Sequence, residues 1–277
     1  MNPQQEQLQK LQEDLDNLDI PSAPNLALDS LLSIDPEITK IKEQVRQMIG
    51  SDLPVHITGE TGTGKELIAK ALHGDKPEAK FVPVNCGGIP SELLEAEFFG
   101  ALAGSYTGCS KNREGYVSQA SSTMLKKSST GELKAYGVQK AGTLFLDEIG
   151  DMPSLLQCKL LRFLQDKKYR PIGSQTMREA DCRIVSATNK DLLGGKDNFR
   201  TDLYYRLAVF TIELPPFRSR PAEDIMLLIK KFSKRKVEKH NELFNLIQLK
   251  RKQLMFDKGN VRAILNYIEV DNFLLTI

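Results

Sequence analysis

Cysteine and histidine are scarce in this chain of 277 residues, at four and three copies. Cys86, Cys109, Cys158 and Cys182 stand far apart without a Cys-x-x-Cys pair, and His56, His73 and His240 have no second ligand at zinc spacing. Neither a disulfide framework nor a structural zinc site is expected, and the cysteines read as reduced intracellular thiols. An excess of one charge is missing too: 38 Lys and Arg face 36 Asp and Glu, a formal +2. That balance exerts no whole-molecule pull on nucleic acid or anionic lipid, so contact of that kind would need a local patch. No apolar run approaches a bilayer span, and the Met1-Asn2-Pro3-Gln4-Gln5-Glu6 start lacks both basic residues and an apolar stretch. Neither a membrane segment nor a secretory leader is expected, which predicts a cytoplasmic protein. What is present, 40% hydrophobic and 27% charged residues, is the mix of a globular protein of one large or two ordinary domains rather than a disordered tail or a collagen-like repeat.

Three stretches differ in character. Over residues 1–29, Leu8, Leu11, Leu15 and Leu18 follow the 3-4-3 spacing of a short coiled-coil seam before Pro21 and Pro24 break it. This is a frayed amphipathic helix with a linker, or a short dimerising helix. Residues 30–220 alternate strand and helix. Strands are predicted at residues 54–58, 81–85, 143–146 and 183–187, and helices at Lys65–His73 and over residues 155–164, the latter with Leu156, Leu160, Leu161 and Leu164 on one face. Continuous apolar strands between helices predict an α/β fold with a parallel sheet covered on both faces. Residues 121–140, rich in Ser, Thr and Lys, read as an inserted flexible loop. Residues 221–277 read as a small helical domain, from Ile225, Leu228, Ile229 and Phe232 and then Val261, Ile264, Leu265 and Ile268.

Gly59-Glu60-Thr61-Gly62-Thr63-Gly64-Lys65 matches G-x-x-x-x-G-K between a predicted strand and helix. Glycines let backbone N–H groups turn inward around phosphate oxygens, the following helix directs its positive end at the same anion, and Lys65 adds a point charge. Glu66 stands where a Ser or Thr would usually bind magnesium, so the metal would rely more on other carboxylates and on the nucleotide. Leu144-Phe145-Leu146-Asp147-Glu148 supplies two acids at the C-terminal end of a buried strand, the edge where ligands sit in such sheets. Asp147 would hold magnesium and Glu148 would polarise the attacking water. Together the two motifs predict ATP and Mg2+ as ligands and hydrolysis as the reaction.

With these blocks in place, residues 30–225 resemble the AAA+ ATPase domain of bacterial sigma-54-dependent transcription activators, the NtrC-like enhancer-binding proteins. The phosphate loop through Ala69, Glu66 included, is similar to that family's. So are Gly142-Thr143-Leu144-Phe145-Leu146-Asp147-Glu148-Ile149-Gly150-Asp151-Met152-Pro153, Ala187-Thr188-Asn189, the block from Phe199 to Leu207, and Leu214-Pro215-Pro216-Phe217-Arg218. The resemblance implies an AAA+ P-loop fold with a small α-helical lid over residues 221–277. It also implies roles: Asn85 as the polar switch beside Glu148, Asn189 as the first sensor of the terminal phosphate, and Arg200 and Arg206 as fingers reaching a neighbour's nucleotide. Read alone, both arginines would be ordinary surface pairing partners. Fingers given in trans imply a homo-oligomer, a hexameric ring in this family.

The family's sigma-54 contact loop corresponds to Gly104-Ser105-Tyr106-Thr107-Gly108-Cys109, which keeps the aromatic and the hydroxyl but changes both flanking alanines. An exposed aromatic between glycines suits a contact, and a turn with an aromatic lid is the alternative. Phe98-Phe99-Gly100-Ala101-Leu102-Ala103 also departs from the family, and a second pore-side loop is implied over residues 168–181. The 121–140 insertion either hangs into solvent or hampers the contact loop. Gly259-Asn260-Val261-Arg262 resembles the second sensor, with Arg262 as the nucleotide-reading residue, although Asp257-Lys258 and Ala263-Ile264 depart from the pattern. Residues 230–252 carry nine Lys and Arg (230, 231, 234, 235, 236, 239, 250, 251, 252) against Glu238 and Glu242, a net 9 − 2 = +7. This is a solvated face or a nucleic-acid or partner patch. The chain leaves no room for the family's helix-turn-helix, so promoter DNA is expected to be contacted only indirectly. The implied function is an ATP-driven activator core that remodels the sigma-54 RNA polymerase holoenzyme toward the open complex. The alternatives are a degenerate relative that binds and assembles without remodelling, and an AAA+ machine acting on another protein or on DNA.

Overall fold

The computed structural model describes residues 25–74, 79–121, 123–127, 133–138, 141–194, 199–252 and 260–275. The leucine seam and prolines of residues 1–24, and Asp257, Lys258 and Gly259, lie outside them. The chain forms two compact units, both discontinuous in sequence. One comprises residues 48–58 and 72–213; the other comprises residues up to 47, 59–71 and 214 onward.

The first unit holds a five-stranded parallel sheet, ordered β2-β5-β8-β1-β9. Its strands are β1 (Val55–Thr58), β2 (Phe81–Asn85), β5 (Thr143–Asp147), β8 (Arg183–Thr188) and β9 (Phe210–Glu213). The four predicted strands are present, with β2 at its predicted bounds. β9 was not foreseen: only Ile212 of its four residues is buried, so it lacks the continuous apolar run that marked the others. It pairs with β1 at the sheet's edge, where half-burial suffices. Leu144, Leu146 and Ile184 on one face join a core with Leu156, Leu160 and Phe163 of the helix Ser154–Asp166 and Leu203 and Leu207 of the helix Thr201–Leu207. Phe145 and Val185, pointing the opposite way by strand alternation, are buried as well. Leu161 and Leu164 pack against the same core, half-buried. Leu146→Ala, at a fully buried position beside the acid pair, is expected to cost about 2–5 kcal/mol, read as a lowered denaturant midpoint with an unchanged slope.

Arg183 opens β8 at 3% exposure. It donates from Nη1 to the Leu72 carbonyl (2.7 Å) and from Nε to the Leu53 carbonyl (3.2 Å). A buried cation without those acceptors would be costly, and burial pushes its pKa down. The expected flexible loop at 121–140 is corrected. β3 (Thr123–Lys127) and β4 (Leu133–Val138) form an antiparallel ladder, Thr123 opposite Val138 and Lys127 opposite Leu133, with a bulge between Met124 and Leu125. The ladder covers residues 123–127 and 133–138 of the expected loop; the Ser-Ser-Thr-Gly run at 128–131 lies outside the described residues. A second hairpin, β6 (Lys168–Tyr169) with β7 (Arg178–Glu179), occupies the implied second loop.

Among the described residues, the second unit's regular elements are helices joined by short loops, the glycine loop among them. Asp35 caps the helix Pro36–Met48, its Oδ1 accepting from the Glu37 N–H at 2.8 Å, with proline at the first helical position. Ile225, Leu228 and Ile229 of Glu223–Phe232, Leu243 and Ile247 of His240–Lys252, and Ile264 and Ile268 of Asn260–Leu274 share one core. Phe232 is 42% exposed, at the end of the apolar face it was expected to extend. Asp224 is fully buried and accepts from the Ser33 hydroxyl (2.5 Å) and the Ile34 N–H (2.8 Å). Within the basic run, Arg235 is paired bidentately with Asp271, and the Lys250 ammonium lies 4.3 Å from the Tyr267 ring centre. Part of that charge is thus used internally.

Candidate nucleotide and partner sites

The acid pair sits on one edge of the sheet. In a parallel sheet the C-terminal ends share an edge, and Asn85 closes β2 opposite Asp147, which closes β5. Asn189 follows directly on Thr188 of β8 and is exposed. Asp147 accepts the Glu148 N–H at Oδ1 (3.0 Å), which fixes its carboxylate. Glu148 itself takes the left-handed conformation (φ 52, ψ 43) before the turn Ile149–Asp151. A glutamate rarely adopts that backbone, and such strain recurs where a side chain must be aimed. Its Oε2 lies 2.8 Å from where a Cβ on Gly87 would stand, so the carboxylate rests over a residue that has no side chain and would have to shift if one were added. Asn85 lies on the same glycine, its Oδ1 accepting from the backbone N–H groups of Gly87 (2.8 Å) and Gly88 (3.0 Å). Beside them, burial first and then the charges of Asp147, Asp151 and Glu148 push the Cys86 thiol well up, and burial pushes Cys182 up to about 12. Both stay protonated and unreactive.

The glycine loop begins at the residue after β1. Gly59 (φ 149), Gly62 (φ 80) and Gly64 (φ 107) take positive φ. A Cβ on Gly59 would stand 2.9 Å from the Leu214 carbonyl oxygen, which requires the bare backbone. Thr63 is buried and donates to the Glu60 carbonyl (2.9 Å). Lys65 donates from Nζ to the Gly59 and Glu60 carbonyls (2.8 and 2.9 Å), at the mouth of the loop. Glu66 is exposed and pairs with Lys70 one turn along (2.8 Å). Glu60 is held by Arg218 through both guanidinium nitrogens (2.7 and 2.5 Å) and by Asn260 (3.0 Å). These partners, Arg218 foremost, keep its carboxyl below the usual range. Arg262 is exposed, whereas Asn260, two residues earlier, bonds directly to the loop. Sequence reading passed over Asn260; its signal was an asparagine after glycine at a helix start, a residue tolerant of left-handed φ.

The two finger candidates sit at opposite ends of one short helix. Arg200 precedes Thr201–Leu207, its N–H donating to Gln157 Oε1 (2.9 Å). Its guanidinium is engaged by both carboxylate oxygens of Asp202 (3.0 and 2.7 Å) and by Cys158 Sγ (3.3 Å). The Asp202 bonds push the Arg200 pKa further up. Arg206 is exposed in the last turn.

The contact loop departs from expectation. Gly104 N–H donates to the Cys109 carbonyl (2.7 Å) and Cys109 N–H to that of Tyr106 (3.0 Å), closing a tight turn. Ser105 is half-buried, and Thr107 and Gly108 are exposed. Tyr106 is not an exposed aromatic: its ring packs, partly buried, on the small cluster of Ala96, Ala101 and Cys109. Cys109, expected as a contact residue, is 6% exposed, its Sγ directed at the Leu102 carbonyl (3.2 Å). A ring of that size has enough apolar area to favour the nearest alanine surface over water.

Among the described residues no helix is long and apolar enough to cross a membrane. The profile of the family described as "Sigma-54 interaction domain" matches residues 31–136 and 126–213. The response regulator protein PilR of Pseudomonas aeruginosa is 41% identical over 258 residues, covering 90% of this chain and 53% of its own. The transcriptional regulatory protein GlrR of Escherichia coli K12 is 39% identical over 248 residues, covering 87% and 51%. The crystal structure of NtrX from Brucella abortus in complex with ATP superposes with a TM-score of 0.67 at 25% identity, covering 97% of this chain and 56% of that one. The chain thus spans about half the length of the relatives it matches. Both the profile and the relatives place it in one family: the chain belongs to the sigma-54 interaction domain family, the AAA+ domain of sigma-54-dependent transcriptional regulators.

Proposed function

We propose that this chain is an Mg2+-dependent ATPase whose turnover, in a homo-oligomeric and by family analogy hexameric ring, remodels the sigma-54 RNA polymerase holoenzyme toward the open complex. The observation that carries the reading is the acid pair at the sheet edge: Asp147 fixed at a strand end, and Glu148 in a strained left-handed conformation with its carboxylate over Gly87. The residues present suit the ligands. A carboxylate oxygen at Asp147 is a magnesium donor, and the glycine loop offers backbone N–H groups where a Cβ would collide. Bound magnesium would neutralise charge on the phosphates. For the chain's own part, Lys65 holds outer phosphate oxygens, with Gly59, Glu60, Thr61, Gly62, Thr63 and Gly64 forming the cradle. Glu148 takes the proton of the attacking water, Asn85 sets the backbone at 87–88 against which Glu148 rests, and Asn189 hydrogen-bonds the terminal phosphate. Arg200 and Arg206 bring positive charge from a neighbouring protomer. Glu66 and Arg262, both exposed, are the weakest members of the proposed set. The division into linker, α/β core and lid at residues 29/30 and 220/221 belongs to the same proposal.

A second reading is favoured by one observation: the packed Tyr106 ring and buried Cys109 leave the loop lying down on its own domain. A relative that hydrolyses ATP and assembles, but does not raise that loop, would act as a regulatory binding protein. An open-complex assay with sigma-54 holoenzyme separates the two. Productive remodelling predicts ATP-dependent open complexes from the wild type and their loss, by tenfold or more on the order expected for a central aromatic contact, in Tyr106→Ala, with ATP turnover retained. Turnover without open complexes from the wild type would select the binding protein.

A further inference from the structure

We propose that Asn260 is a positioning residue for nucleotide binding, the point at which the C-terminal helix sets the shape of the phosphate loop; this rests on the reading of that loop as a nucleotide cradle. Asn260 is 1% exposed and left-handed (φ 50), and its side chain is fully used. Nδ2 donates to Glu60 Oε2 and to the Thr61 carbonyl, both at 3.0 Å, and Oδ1 accepts the Phe217 N–H at 2.6 Å. One amide therefore ties three segments: the loop, the turn Phe217–Ser219 and the start of Asn260–Leu274. Two arginines of that turn region reinforce the tie. Arg218 clasps the same Glu60 carboxylate, and Arg220, 3% exposed, donates from Nη2 to the Thr63 carbonyl (3.1 Å).

The chemistry explains why this matters for a ligand. A cradle of inward N–H groups works only if the peptide planes of residues 60–63 face the right way. Their carbonyl oxygens must then be held outward by donors. Asn260 and Arg220 are those donors for Thr61 and Thr63. Every contact that orients the loop before binding lowers what binding must spend on ordering it. The family resemblance implies Arg262 at this turn, yet the exposed arginine leaves the loop untouched while the buried amide grips it.

Asn260→Gly is the informative variant, because glycine keeps the left-handed backbone and deletes only the amide. The reading taken is the dissociation constant of a non-hydrolysable ATP analogue on the full chain, beside the thermal midpoint without nucleotide. Positioning predicts binding weakened about tenfold, the scale of losing two buried hydrogen bonds to the loop, and KM for ATP raised more than kcat is lowered. Should the glycine variant fold poorly, Glu60→Ala and the Glu60→Ala/Asn260→Gly pair give a second measure. The double variant should bind no worse than about twofold below the weaker single, since both act on one clasp. An Asn260→Gly chain that melts lower yet binds within about twofold of wild type would leave Asn260 a merely structural residue and overturn the proposal. A wild type that binds no nucleotide would overturn the nucleotide reading and this proposal with it.

Discussion

Glu148→Gln is expected to lower ATP turnover at least about 10²-fold, the lower bound for loss of a general base, while nucleotide binding stays within about twofold of wild type. The split follows from geometry. Glutamine has the shape of glutamate, keeps the left-handed backbone and fits over Gly87 as the carboxylate does. It removes only the ability to take a proton. The phosphate-holding groups, Lys65 and the glycine loop, are untouched, so affinity should persist where turnover does not. Equal turnover in the two proteins would remove Glu148 from the mechanism, and with it the assignment of Asp147 and Glu148 as a working pair. A loss of binding as large as the loss of turnover would instead mean that the carboxylate serves the ground state. Replacing Gly87 by alanine offers the complementary view, because its Cβ displaces the same carboxylate without altering its charge.

The strands that position this pair were legible in the sequence for a physical reason. β1, β5 and β8 are buried on both faces, so they read as continuous apolar runs bounded by turns or acids, while β2 shows its apolar side through Val82 and Val84, buried between exposed Pro83 and Asn85. β9 and the β3–β4 ladder escaped because neither carries such a run: one is a half-buried edge strand, and the other pairs two short strands interrupted by Lys126, Lys127 and Lys134. At the site, the phosphate loop and acid pair were legible because their chemistry demands particular residue types at fixed spacing. Orientation was not. That Asn85 turns its oxygen to Gly87 and Gly88, that Tyr106 lies on Ala96 and Ala101, and that Asn260 rather than Arg262 reaches the loop are all decided by tertiary neighbours distant in sequence. A residue pattern names the groups available; the packing chooses among them.

Arg200 carries the other large expected effect. Asp202 grips its guanidinium with both oxygens, and Cys158 takes a third N–H. Read within one protomer, this is a satisfied surface arginine, and its loss should scarcely matter. Read as a finger, the same geometry holds a planar fork at a helix start, ready to exchange a carboxylate for a neighbour's phosphate, which it fits equally well. The magnitudes separate the readings: a finger contributes roughly 10³–10⁵ in turnover, far beyond any exposed pair. Arg200→Ala is thus expected to lower ATP turnover by about 10³-fold or more, with Arg200→Lys nearly as poor because an ammonium cannot make the bidentate contact. Mixing gives the decisive reading. Arg200→Ala protomers keep Glu148, and Glu148→Gln protomers keep Arg200, so neither turns over alone. If the finger acts across a subunit boundary, an equimolar mixture restores activity at about a quarter of boundaries, those pairing an intact base with an intact neighbouring arginine. A finger acting within its own protomer restores none at any ratio. Activity recovered on mixing would establish assembly and the direction of the arginine in a single measurement; a mixture as inactive as its parts would exclude a finger acting across a boundary, and an Arg200→Ala protein turning over like wild type would confine Arg200 to its pairing with Asp202.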